Sequence, residues 1–315
     1  MMPRQPGTFV LLAALAGGAS VLAQTDASSP PLRIAVNMTT IESAPVFAAA
    51  EELGGAVRVV SGGIPLLTSA EADAATNAET QALIRSVADP GIRVILTVAE
   101  CAYRVVARRS AGIARPADLR GKRIATAANT SAHYHLVKTL KAAGLSEADV
   151  KVVSMPLAEM PDGLKRHDID GVSIWEPAAQ NSIDALGGDA IVLPNGGLYR
   201  ERFNLNATKA VLNDPVKRRA TIDLVRAIIK SSTSIRRNGA PVWPLVSKKI
   251  NVPEQTISTT WREFAFPAAL PRDLLPLMRE EEAWVAAAQK REPRAPATID
   301  QLVDDSILRE AMARK

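Results

Sequence analysis

The chain has 315 residues, 47% of them hydrophobic and 23% charged, and a net charge of +5 at neutral pH. That is long and apolar enough for ordered cores, which excludes wholesale disorder, and a single cysteine, Cys101, excludes an intrachain disulfide framework. Three histidines, His133, His135 and His167, with one thiol give too few ligands for a Cys/His zinc site. Aromatic content of 4% leaves few rings for stacking on bases or sugars. A small positive surplus spread along the chain is a poor footprint for nucleic acid, so no such partner is expected.

Residues 1–8 carry one cation, Arg4, and no acid, and residues 9–23 (FVLLAALAGGASVLA) are apolar and end on small residues. This is the layout of a secretory signal peptide, residues 1–23, cut after Ala23. The run is short of the roughly 20 residues needed to span a bilayer, and no cysteine follows it for a lipid anchor. Residues 24–31 (QTDASSPP) read as a flexible lead-in.

Short β-branched runs then alternate with helical patterns. LRIAV (32–36), VRVV (57–60), ADAAT (72–76), IRVILTV (92–98), KRIATA (122–127), VKVVSM (150–155), GVSIW (171–175) and DAIVLP (189–194) are predicted strands. Residues 43–53, 77–88, 131–144 and 177–188 are predicted helices. The alternation predicts an α/β fold with mainly parallel sheets and flanking helices. From Asn213 onward the pattern is helical, over 214–237, 254–264, 271–292 and 298–315, with Asp214-Pro215, Asn251-Val252-Pro253 and Leu270-Pro271 as start signals. The chain either builds two domains in order or leaves a first lobe and returns to it. In the second case the strand-like stretches 103–109 and 203–212 are the natural crossings.

In open α/β sheets a ligand sits beyond the carboxyl ends of the strands. Four strand-to-helix turns offer small hydrogen-bonding residues there: Thr39-Thr40, Ser61-Gly62, Thr76-Asn77 and Asn129-Thr130-Ser131. A helix N-terminus presents unpaired amides and partial positive charge, so converging turns of this kind hold a small oxyanion; each residue serves equally well as a plain helix cap. Trp175 and Glu176, before Pro177, are further candidates: a ring beside the ligand, or a core ring; an acceptor for an amine or hydroxyl, or an acid on a helix dipole. Glu79 and Glu100 share that ambiguity. Arg104, Arg108 and Arg109 offer bidentate pairing to an anion or ordinary strand-edge solvation. His133 and His135, two apart on one helix, point to different faces and cannot chelate one metal. No Gly-x-Ser-x-Gly, Walker, His-Glu-x-x-His or Gly-x-Gly-x-x-Gly motif occurs, so neither catalysis nor a cofactor is expected.

The stretch RRSAGIARPADLRGKRIATAANTSAHYHLVKTLKAAGLSEADVKVV followed by DIDGVSIWEPAAQ resembles the solute-binding proteins of nitrate/sulfonate/taurine-type ABC importers. The likeness is carried by Gly112-Ile113, by Pro-x-Asp-Leu-x-Gly-Lys at 116–122, by the turn Asn129-Thr130-Ser131, by the acidic turn 168–170 and by Trp175-Glu176-Pro177. It is strongest over about 105–195 and fainter over 32–100. It implies a type II-like two-lobe periplasmic binding protein, with lobe I at 32–107 plus 206–315 and lobe II at 108–205. Such a protein, expected as a monomer, closes on a small anionic or zwitterionic organic solute in the sulfonate/nitrate/carboxylate range. Its partners would be an ABC permease and its ATPase subunit. One departure bears on the solute: AAAEELGGAVRVV stands where that family has a Gly-Phe-Phe then Glu-Gly-Leu type connector. The alternatives are a dehydratase-like periplasmic enzyme on the same architecture and a ligand-presenting subunit of a membrane sensor.

Overall fold

Eleven strands fall into two sheets in the computed structural model, which describes residues 30–313. The expected signal peptide lies outside the described residues. The strands are β1 (Leu32–Val36), β2 (Val57–Ser61), β3 (Ala74–Ala78), β4 (Ile92–Cys101), β5 (Arg104–Arg108), β6 (Arg123–Thr126), β7 (Lys151–Ser154), β8 (Gly171–Ile174), β9 (Ala190–Leu193), β10 (Glu201–Thr208) and β11 (Phe264–Ala265). One sheet has the order β11-β4-β10-β3-β1-β2, the other β7-β6-β8-β5-β9.

Both sheets are mixed rather than mainly parallel. The βα units pair in parallel, β1 with β2 and β3, and β6 with β7 and β8. Strands that follow a change of sheet come in antiparallel: β5 lies against β8 and β9, and β10 against β3 and β4. The chain changes sheet twice, through Ala102 and Tyr103 after β4, and through residues 194–200 before β10. The stretch expected to cross at 103–109 is thus mostly β5, inside the five-stranded sheet, and 203–212 begins inside β10. β4 and β10 are long, β-branched or aromatic in part and buried almost throughout, as strands covered on both faces must be.

One local device builds both sheets. Arg33, second residue of β1, donates its backbone N and Nε to Asp73 Oδ2 (both 3.0 Å) and Nη2 to Oδ1 (2.9 Å), and Asp73 precedes β3. Arg123, first residue of β6, does the same to Asp170, which precedes β8, at 2.9, 3.1 and 2.8 Å. Each fork fixes the register of two parallel strands and starts the second one after its aspartate. That is why β3 begins at Ala74, and why Thr76 and Asn77 lie in the strand rather than in a turn beyond it.

The helices follow their start signals. Asp214 accepts from Val216 N and Lys217 N and Pro215 opens the helix Pro215–Arg237, which packs on Ala44–Leu53. Phe47, fully buried in the main core, contributes about 2–3 kcal/mol by its burial. The C-terminal region departs from the expected run of helices. Phe264–Ala265 pairs with β4, Trp243–Ile250 is an additional helix, and 298–315 is broken. Val94 N donates to Leu302 O at 2.7 Å and Asp304 N to Val94 O at 2.9 Å, so this tail is tied to the sheet between Pro296–Asp300 and Ser306–Met312. Among the described residues no helix is long and apolar enough to cross a membrane.

Candidate ligand-binding cleft

A cavity of about 510 Å³ opens where the two sheets face each other. The carboxyl ends of the parallel strands feed it from both sides: Asn37, Thr40 and Glu42 after β1, Asn77 and Ala78 at the end of β3, Asn129, Thr130 and Ser131 after β6, and Trp175 after β8. The antiparallel strands contribute their beginnings, with Tyr103 just before β5 and Glu201 opening β10.

The helix Ser131–Ala142 points its N-terminus at this space. Asn129 adopts a left-handed conformation, φ 57°, which asparagine tolerates better than most side chains. Thr130 then caps the helix: its Oγ1 accepts from Ala132 N at 3.2 Å and donates to Ala127 O at 2.7 Å. Ser131 Oγ lies 2.9 Å from Tyr103 OH, linking this turn to the first crossing. Gln81 Nε2 donates to Asn129 O at 3.0 Å, a direct tie across the mouth.

The inner wall is acidic. Glu42 and Glu201 are 1% and 3% exposed and both line the cavity. Burial pushes the Glu42 carboxyl up to about 7, and it pushes Glu201 well above the usual carboxylate range, with the charges of Glu42 and Glu79 adding to the rise. Thr40 Oγ1, Glu42 Oε2, Glu201 Oε2 and Trp175 Nε1 are buried without a hydrogen-bond partner. Arg85, exposed at the rim, is the cation among the lining residues. Behind the wall Glu79 accepts from Tyr199 OH and, at 2.8 Å, from Arg202 N; next to it Thr80 Oγ1 donates to Glu281 at 3.3 Å.

Six of the eleven residues singled out from the sequence come together here: Thr40, Asn77, Asn129, Thr130, Ser131 and Trp175. Five do not reach the cavity. Thr39 and Thr76 act one step back: Thr39 donates N and Oγ1 to Asn37 Oδ1 (3.0 and 2.7 Å), and Thr76 Oγ1 accepts from Asn37 N at 3.3 Å, so both orient Asn37. Ser61 is exposed at the end of the edge strand β2. Gly62, at φ 151°, serves the turn; a Cβ there would meet Leu66 Cδ1 at 2.6 Å. Glu176 is fully buried and spent: Oε1 accepts from Arg104 Nε at 2.5 Å and Oε2 from Gln180 N at 3.0 Å.

The other candidates are likewise engaged. Glu100 pairs with Arg200 and Arg202, and Arg108 with Asp170. Arg109 Nε donates to Ala190 O. His133 meets Glu147 at 2.7 Å, whereas His135 is buried on another face, 2.9 Å from Ser173 Oγ, and burial lowers its imidazole to about 4. Cys101 is fully buried, and burial together with the charges of Glu42 and Glu201 raises its thiol well above the ordinary range, away from thiolate chemistry. Asn37, Glu42, Gln81, Arg85, Tyr103, Glu201 and Phe203 line the cavity but were not picked out. A usable signal existed for Glu42, the lone acid in VNMTTIESAPVFAAA; Glu201 carried none, its burial following from the pairing of β10.

Residues 60–195 match the NMT1/THI5 like family. A stretch of 81 residues is 37% identical to the taurine-binding periplasmic protein of Escherichia coli; it is 26% of this chain and spans about a quarter (24%) of that relative's length. Among solved structures, the periplasmic aliphatic sulphonate binding protein SsuA of Escherichia coli superposes with a TM-score of 0.71 at 16% identity, over 88% of this chain and 92% of that one. The desulfurization enzyme DSZB superposes with a TM-score of 0.67 at 17% identity, over 90% of this chain and 99% of that one. Residues 60–195 thus resemble the NMT1/THI5 like family, and the described residues share the two-lobe fold of these solved periplasmic binding proteins.

Proposed function

We propose that the protein is the extracytoplasmic solute-binding component of an ABC importer, working as a single chain in the periplasm. It captures a small anionic or zwitterionic organic solute of the sulfonate, nitrate or carboxylate range and hands it to a permease and its ATPase. The observation that carries this reading is the cavity itself, which lies beyond the strand ends of both sheets and is lined by buried polar atoms without partners. An anionic end fits the N-terminus of Ser131–Ala142, where backbone amides and the helix dipole favour negative charge. The lobes of this reading are 32–101 plus 201–313 and 104–193, hinged at the two crossings; they differ by four to twelve residues from the boundaries the sequence implied, because β5 belongs to the five-stranded sheet and the whole of β10 to the six-stranded one. Ligand that prefers the closed arrangement supplies the bias for closing.

An enzymatic reading has one observation behind it, the desulfurization enzyme that shares the fold. Against it stands the burial of Cys101, which raises its thiol well above the ordinary range. The test is a thermal-shift screen of the chain from Gln24 onward against sulfonates, nitrate, carboxylates and amino acids, followed by recovery of the best ligand. A concentration-dependent rise in Tm with ligand recovered unchanged is expected. Conversion of the ligand overturns the transport reading.

A further inference from the structure

We propose that Glu42 and Glu201 form a recognition pair for a nitrogen donor, so that the captured solute carries a protonated amine, or an equivalent N–H group, besides any anionic end. The inference rests on the capture reading and narrows its solute class.

Most other buried acids among the described residues are consumed by their own chain; Glu281, whose Oε1 is also without a partner, lies behind the wall and does not line the cavity. Glu176 has Arg104 and Gln180 N, Glu79 has Tyr199 and Arg202 N, Glu282 has Arg291 and Arg294, and Asp73 and Asp170 have their arginine forks. Glu42 and Glu201 differ. They neighbour each other, they face the cavity, and the Oε2 of each has no partner of hydrogen-bonding geometry, with Thr40 close to Glu42 and Tyr103 close to Glu201. Thr40 Oγ1, 4% exposed at residue level, is a third unpartnered atom on the same wall. Buried acceptors without donors are costly, and a ligand that brings the donors removes the cost. A bare anion brings none: it can only accept from whichever carboxyl is protonated, and it is repelled by whichever is ionised. A protonated amine offers up to three N–H donors and the opposite charge.

The titratable and charged groups around the pair are Cys101 on β4, Tyr103 at the crossing, Glu79 and Glu281 behind the wall, and Glu176 after β8, with Arg85 at the rim. None of the first five is cationic, so in the empty cleft burial and mutual repulsion keep the pair partly protonated near pH 7. Entry of an ammonium group exchanges for a carboxyl proton: the cation binds, the proton leaves to solvent, and no covalent bond changes.

The experiment is titration calorimetry with matched probes: 2-aminoethanesulfonate against ethanesulfonate, 3-aminopropanoate against propanoate, and benzylamine against benzyl alcohol. In at least one pair the nitrogen-bearing member should bind tenfold or more tightly than its counterpart. Its observed heat should vary with the ionisation enthalpy of the buffer, in the sense of proton release. Glu42→Gln and Glu201→Gln should melt no lower than the wild type and lose the preference. Equal or tighter binding of the nitrogen-free members overturns the inference and leaves capture standing; absence of binding by every probe overturns both. If a variant fails to fold, wild-type heats decide alone, and buffer-independent heats with the aminated probes overturn the proposal.

Discussion

Arg104 and Glu176 form a buried ion pair, Nε to Oε1 at 2.5 Å, that joins the start of β5 to the turn entering the helix Ala178–Leu186. The side chains are 11% and 0% exposed, so neither charge has water to fall back on. Removing one partner strands the other, and breaking such a pair costs about 3–5 kcal/mol. Glu176→Ala should therefore lower the free energy of unfolding measured in urea by that amount, with a matching fall in the midpoint. An unchanged midpoint would show that the pair is not a structural strut.

The two arginine forks should respond alike. Hydrogen bonds from Arg123 hold the Asp170 carboxyl at about 2; in Asp73, although burial opposes it, the Arg33 hydrogen bonds also hold it at about 2. A depressed carboxyl contributes its stability in full above its ordinary value near 4 and loses it as pH falls through about 2. Asp170→Asn and Asp73→Asn should each cost about 2–4 kcal/mol at pH 7. Acid titration of the unfolding free energy should bring wild type and variants together between pH 4 and pH 2.

Glu42 has the opposite sign. Its carboxyl is raised to about 7 in the folded state, so its contribution is present below its ordinary value and is lost as pH climbs through 7. His135, held neutral at about 4, works against this trend in the same window, which makes the comparison with a variant the informative quantity. Relative to wild type, Glu42→Gln should gain Tm steadily from pH 5 to pH 8. A constant difference across that range would place the Glu42 proton elsewhere.

Trp284 packs edge-on against His133 (centroids 5.3 Å apart) and tilted against Tyr134 (5.4 Å), bridging the helices Leu274–Ala288 and Ser131–Ala142; Lys138 and Glu280 add an ion pair at 2.6 Å. Aromatic pairs of this kind contribute about 0.5–1.5 kcal/mol each beyond their area. Trp284→Ala should loosen this contact between the two helices, raising the radius of gyration seen by small-angle scattering and weakening ligand affinity about tenfold. Unchanged scattering would assign Trp284 to packing alone.

Much of this was legible in the sequence where physics is local. β-Branched runs gave the strands, Asp214-Pro215 gave a helix start, and Asn129-Thr130-Ser131 gave a cavity-facing turn because a left-handed Asn and a Thr cap leave few other geometries. The acidic turn 168–170 was visible as a motif, but its role, the Arg123 fork, depends on a partner 47 residues away. Thr76 misled because it lies within β3 and its Oγ1 accepts from Asn37 N, and Gly62 because its backbone conformation serves the turn after β2. Glu42 and Glu201 were passed over for a different reason. Their meeting requires β10 to run antiparallel beside β4, a pairing between residues about a hundred apart that no local pattern encodes.

The first crossing has a mechanical consequence. Only Ala102 and Tyr103 separate the two sheets there, and Tyr103 is itself part of the cavity wall. Any rotation of one sheet against the other about this joint moves each atom along an arc proportional to its distance from the axis. Groups beside the joint, such as Tyr103 and Glu201, whose strand pairs with Cys101, are displaced least, and groups farther from it are displaced more. On the proposed closure, the deep end of the cleft beside this joint is the part that rotation reshapes least, like the pivot of a pair of tongs, so an arriving solute would meet the inner wall already in place.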